Sequence, residues 1–107
     1  MNHLLKSKAN LCRTRARVLG YDPEIIDCQE DLILIVNGKT KKVAAIGMTL
    51  NPNDKEVKFE SYIIDVRKWM WAEAEGFTKE EMTDKGDLRN SIFLPIPFEK
   101  IPSALLE

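Results

Sequence analysis

The chain has 107 residues, 16 basic and 17 acidic side chains, a net charge of -1, 44% hydrophobic and 31% charged residues, the make-up of one ordinary globular domain. Its longest apolar runs, Leu32 to Val36 and Val43 to Ile46, fall far short of the roughly 18 residues a membrane-spanning helix needs. Cys12 and Cys28 with one histidine make neither a zinc spacing nor a disulfide framework. Residues 1–19 carry Lys6, Lys8, Arg13, Arg15 and Arg17 but no apolar core or small-residue cleavage site of a secretory signal, so a cytoplasmic location is the expectation.

Residues 3–19 read two ways. On a helix, Leu4, Leu5, Leu11, Cys12, Val18 and Leu19 share a face that Lys8 and Arg15 interrupt; on a strand, Cys12, Thr14, Ala16 and Val18 alternate with Arg13, Arg15 and Arg17. The reading adopted is a short helix near 2–9 and a strand over 11–18. Asp22-Pro23 has the form of an N-cap with proline at the first helical position, which predicts a short helix over 23–29. The run 32–36 followed by Asn37-Gly38 predicts a hairpin with a type I′ turn. A strand apolar on both faces belongs at the centre of a covered sheet. Its partner, about 39–50, directs Ala44, Ile46, Met48 and Leu50 to one face, and after the turn Asn51-Pro52-Asn53-Asp54 a third strand runs over 56–64.

From Asp65 the period becomes helical. Val66, Trp69, Met70 and Ala74 fall in one arc and Gly76 stops the helix. Thr78 with Glu81 forms a capping box, and Phe77 with Met82 a hydrophobic staple, so a second helix starts at 79 and ends by Gly86. Ile92, Leu94, Ile96 and Phe98 alternate, but Pro95 and Pro97 restrict them to an edge strand or strap. A last helical turn over 102–106 folds back. With no repeat or linker, residues 1–107 are expected to form a single α+β domain: a mainly antiparallel sheet of four or five strands, with helices packed on one face.

Two surfaces are candidates for binding. On a strand, Arg13, Arg15 and Arg17 project from one side about 7 Å apart, near the spacing of successive phosphates, and Lys39, Lys41 and Lys42 extend the patch if the strands are neighbours. The ordinary alternative is a wet strand face that guards an edge. The other surface centres on Trp71. Trp69 and Trp71 lie about 200° apart on a helix, so only one can enter a core; Trp69 fits the apolar arc and Trp71 falls at its edge. A half-exposed tryptophan ringed by charge is the composition of an interface anchor. Glu73, Glu75, Glu80, Glu81 and Asp84 crowd the same stretch and would face a basic partner, although acidic residues also start helices and keep an outer face wet.

No phosphate loop, nucleophile elbow or paired metal ligands occur, and His3 stands alone. No catalytic residue, metal or cofactor is therefore assigned. The expectation is a non-catalytic protein-binding domain, in its specific form an immunity or antitoxin-type inhibitor that occludes a toxic enzyme such as a basic toxin or nuclease. The alternative is an RNA- or DNA-binding module that uses the basic strand face.

Overall fold

In the computed structural model, which describes residues 2–53, 56–84 and 86–107, the first element is one helix, α1 (Asn2–Val18). The expected strand over 11–18 is not formed. Leu5, Ala9, Cys12 and Ala16, spaced four, three and four apart, are all fully buried, a helical stripe whose two alanines supply little hydrophobic signal but let the helix axis lie close to the sheet. Leu4, Leu11 and Val18, which carry more apolar surface, point outward. The helix closes with Tyr21 N–H donating to Ala16 O and Gly20 N–H to Arg17 O, a Schellman motif with Gly20 at φ +99°.

The helix expected over 23–29 is also replaced, by strand β1 (Glu24–Cys28). Pro23 is buried, and Asp22 turns to Arg17 instead of capping. Pairing with β2 (Leu32–Val36) supplies backbone partners that a short isolated helix would lack, and a bulge between Ile25 and Asp27 leaves Ile26 exposed. Strands β3 (Val43–Leu50), β4 (Val57–Ile64) and β5 (Phe93–Pro95) follow, giving an antiparallel sheet in the order β1-β2-β3-β4-β5. Asn51 and Asn53 form the expected turn, with Asn53 N–H donating to Asn51 Oδ1; Asp54 lies outside the described residues. β5 is the proline-limited edge, shorter than expected because α4 (Asp87–Ile92) takes Ile92 and the chain leaves the ladder after Pro95 for a 3-10 turn over Phe98–Lys100.

The two-residue type I′ turn is not formed either. The β2–β3 loop spans 37–42, closed by Asn37 N–H to Lys42 O and Lys41 N–H to Asn37 O, and the left-handed residue is Lys41 at φ 65°. The cause is tertiary. Asn37 is buried, and its amide donates to Leu105 O at 2.9 Å while its Oδ1 accepts from Lys39 N–H. Thr40 Oγ1 also donates to Leu105 O, at 2.8 Å. Tyr21 Oη donates to Pro102 O at 2.6 Å. These bonds pin α5 (Ile101–Ala104) and the residues after it to the β2–β3 loop and to Tyr21, just past the end of α1.

β2 serves two cores. Ile33 and Ile35 join Ala44, Ile46 and Met48 under α1 and α5, with Ile101 and Leu105. Leu32 and Leu34 join Ala45, Tyr62 and Ile64 on the other face under α2 (Val66–Ala74), α3 (Lys79–Thr83) and α4, with Ala72, Met82, Ile92 and Phe93. The helices between Asp65 and Ile92 share one face, but α1 and α5 cover the opposite one, so the helices pack on both faces of the sheet rather than on one: a strand apolar on both sides needs cover on each. Asp65 caps α2 by accepting from Lys68 N–H. The inward residues of α2 are Trp69 and Ala72; Met70, placed in the apolar arc by its period, is 62% exposed.

Two outcomes follow. Asn37→Ala removes one of the two donors to Leu105 O and the acceptor of Lys39 N–H, loosens the carboxy-terminal clamp, and should cost about 1–2 kcal/mol, read as a lower urea midpoint at unchanged slope. Burial also pushes the Cys12 thiol from 9.0 up to about 11 and the Tyr21 phenol from 10.0 up to about 12. Both groups hold their protons more tightly folded than unfolded, so their contribution is complete below pH 9 and declines as pH rises through 9 to 12. In denaturant titrations at stepped alkaline pH, the Cys12→Ala/Tyr21→Phe double variant should lose less stability per pH unit than the parent.

Candidate partner-binding surface

The end of α2 and the start of α3 are fixed by two local motifs. Phe77 N–H donates to Ala72 O and Gly76 N–H to Glu73 O, a second Schellman closure with Gly76 at φ +93°. One residue later Thr78 Oγ1 accepts from Glu81 N–H and Glu81 Oε1 accepts from Thr78 N–H, the capping box read from the sequence. This sharp corner puts the Phe77 ring 6.2 Å from that of Trp71. Lys68 Nζ stands 5.3 Å from the centre of the indole. Trp71 remains 49% exposed. It lies neither beneath the Pro95–Pro97 strap nor in a core, whereas Trp69 packs against Phe93 at 6.4 Å.

The acidic residues assigned to this surface are all exposed but do not act as a unit. Glu73 and Glu75 sit at the end of α2, Glu81 is engaged in the capping box, and Glu80 and Asp84 turn toward a cleft. Lys79, between them, pairs with Asp27 of β1, holding α3 to the sheet edge. The Lys79 bond, outweighing a smaller opposing effect of burial, keeps the Asp27 carboxyl below its ordinary range.

The cleft itself gave no motif in the sequence. It is open, about 700 Å³, and lies where the layer formed by α2, α3 and α4 ends before the sheet does. Across three strands, Leu32 pairs with Gly47 and Gly47 with Glu60, a floor with a gap at its centre. A Cβ at Gly47 would meet only ordinary contacts at 3.7 Å from Asp31 O and Leu32 Cδ1. Asp31 and Thr49 border this floor, and Glu80, Thr83, Asp84, Gly86, Arg89 and Asn90 form the wall. Tyr62 Oη donates to Glu60 Oε2 at 2.5 Å and accepts from Arg89 Nη2 at 3.3 Å. The Arg89 guanidinium stands 5.1 Å from the Tyr62 ring and 5.2 Å from that of Phe93. Burial foremost, then the bond to Glu60, raises the Tyr62 phenol above its ordinary value. A signal was present: on this face β3 runs Ala45, Gly47, Thr49 and β4 runs Ile64, Tyr62, Glu60, Lys58, apolar at one end and small or polar at the other, which marks where the helical cover ends.

The basic strand face does not exist as a strand. Arg13, Arg15 and Arg17 lie on α1, where Arg13 and Arg17 converge on the α1–β1 connection and Arg15 points elsewhere. Arg17 Nε donates to Asp22 Oδ1 at 3.0 Å and Arg13 Nε to Pro23 O at 3.0 Å, while Arg15 lies 5.7 Å from the Phe98 ring. Lys39, Lys41 and Lys42 sit on the β2–β3 loop and its exit rather than on a ladder beside the arginines. Among the described residues no group of three or more His, Cys, Asp or Glu side chains is placed to hold a metal ion, and no helix is long and apolar enough to cross a membrane. No protein-family model, curated protein or solved structure matches the chain.

The two tryptophans make the geometry measurable. In Trp69→Phe the remaining indole, Trp71, should emit to the red and be strongly quenched by acrylamide. In Trp71→Phe the remaining Trp69 should emit to the blue and be quenched less.

Proposed function

We propose that this chain is a non-catalytic protein-binding domain that meets its partner through the α2–α3 corner. The observation that carries this reading is the half-exposed Trp71 set beside Phe77, their rings tilted at 41° with centroids 6.2 Å apart. The pair offers a large apolar surface already held in place by a helix closure on one side and a capping box on the other. An anchor of this kind binds with little further loss of side-chain entropy. Glu73, Glu75 and Glu81 lie close to it in the chain, with Glu80 and Asp84 on the cleft side of α3, a negative balance that favours a basic partner and steers its approach. In its specific form the reading is an immunity or antitoxin-type inhibitor, which covers the basic site of a toxic enzyme and blocks it by steric and electrostatic occlusion.

The test is capture of a stoichiometric partner from the native cell, repeated with Trp71→Ala and with Glu80→Lys/Glu81→Lys. Loss of the captured protein in both, with circular dichroism unchanged, is the expected result; Trp71→Ala alone should weaken the complex by about 2 kcal/mol or more. Equal recovery by parent and variants would remove the corner from the interface.

A further inference from the structure

We infer that the cleft beside α3 receives a lysine- or arginine-rich segment of the partner protein; this rests on the protein-binding reading and names the chemistry of what is bound. The cleft is a stretch of sheet face that no element of the described chain covers. Its floor row Leu32, Gly47 and Glu60 belongs to the same face that buries Leu34, Ala45 and Tyr62 one row further on. With no side chain at Gly47 and only Thr49 beyond it, the floor is open to close approach. At about 700 Å³ the space suits several side chains of a peptide rather than a single ion.

Charge selects the occupant. Among the described lining residues, carboxylates arrive from three separate places: Asp31 from the β1–β2 turn, Glu60 from β4, and Glu80 and Asp84 from α3. The one guanidinium in the wall, Arg89, is held against Tyr62 and Phe93 and bonded to the Tyr62 oxygen. Asp31, Glu60 and Glu80 form no ion pair with another described residue. The low-dielectric sheet floor beneath them strengthens their attraction for a cation. With four lining carboxylates against one lining guanidinium, and Lys58 only at the outer end of the same face beside Thr49, the balance disfavours phosphate and so a nucleic acid in this position. An extended basic segment laid across the floor would place alternate side chains against Thr49 and Glu60 on one side and against Glu80 and Asp84 on the other.

Fluorescence anisotropy of a fluorescein-labelled hexa-arginine peptide at low ionic strength tests the assignment. The parent should bind, and hexa-glutamate should not. Asp31→Asn/Glu60→Gln should weaken binding by about tenfold, whereas Glu24→Gln/Glu99→Gln, the same charge change at exposed carboxylates outside both the cleft and the corner, should leave it within about twofold. Gly47→Leu fills the floor without altering charge and should also abolish binding; should that variant fold poorly, Thr49→Leu at the exposed end of the same row gives the steric readout. Equal losses in the two charge variants would show attraction to net charge alone and overturn the cleft assignment, as would absence of binding by the parent. Neither result touches Trp71, so a corner interface that survives with a failed cleft is distinguishable from failure of both.

Discussion

The constraint on which the architecture depends is that one five-residue strand, Leu32–Val36, is apolar on both sides. Leu32 and Leu34 enter one core and Ile33 and Ile35 the other. Each such side chain is worth about 1.5–3 kcal/mol when removed from water, so neither face can be left wet. The chain meets the demand unequally. One face receives the 17-residue α1 with the short α5 beside it. The other receives three short helices of nine, six and five residues. Short helices end often, and each end turns the chain outward; the cleft lies where this second layer gives out.

The two layers are also fastened differently. On the α1 side, closure is long-range and polar: Tyr21 to Pro102, and Asn37 and Thr40 to Leu105. These bonds join the first quarter of the chain and the central hairpin loop to the last few residues. On the other side the fastenings are local, a Schellman closure at Gly76 and a capping box at Thr78 and Glu81, with the Lys79–Asp27 pair as the tie to the sheet edge. A layer ordered by local motifs is rigid without being deeply buried, which is the condition under which an exposed aromatic can remain ordered and still be accessible.

How much of this was legible in the residues depended on which physics fixed each segment. The capping box, the stop at Gly76, the strands at 32–36 and 57–64 and the exposed edge position of Trp71 all follow from neighbours in sequence, and all are present. The misread segments are those decided by distant partners. Residues 11–18 alternate as a strand would, yet the burial that selects the helix is carried by Ala9, Cys12 and Ala16, residues too small to dominate a hydrophobic pattern. Asp22-Pro23 opens a helix only if the following residues have no better use for their backbone; pairing with β2 supplies one. Asn37-Gly38 would form a tight turn were the Asn37 amide not drawn to Leu105. The cleft was the least visible feature, because Asp31, Glu60, Glu80 and Arg89 meet only through the sheet register and the α3–α4 wall.

The redistribution of the basic residues bears on the choice of surface. As a strand, residues 11–18 would have displayed three arginines to solvent on one side. As a helix they are used within the molecule: Arg13 and Arg17 close the α1–β1 connection through Asp22 and Pro23, and Arg15 joins Lys8 over Phe98. Lys79 and Lys68 are similarly engaged, with Asp27 and with the Trp71 ring. Internal use of these cations leaves the carboxylates at the end of α2 and along α3 as the larger outward-facing charge on that side of the domain. A partner approaching there would first meet negative potential and then an indole it can bury. Under the proposed reading, long-range attraction would set orientation and desolvation of the aromatic pair would supply affinity, a division of labour that neither the net charge of -1 nor the tryptophan alone would indicate.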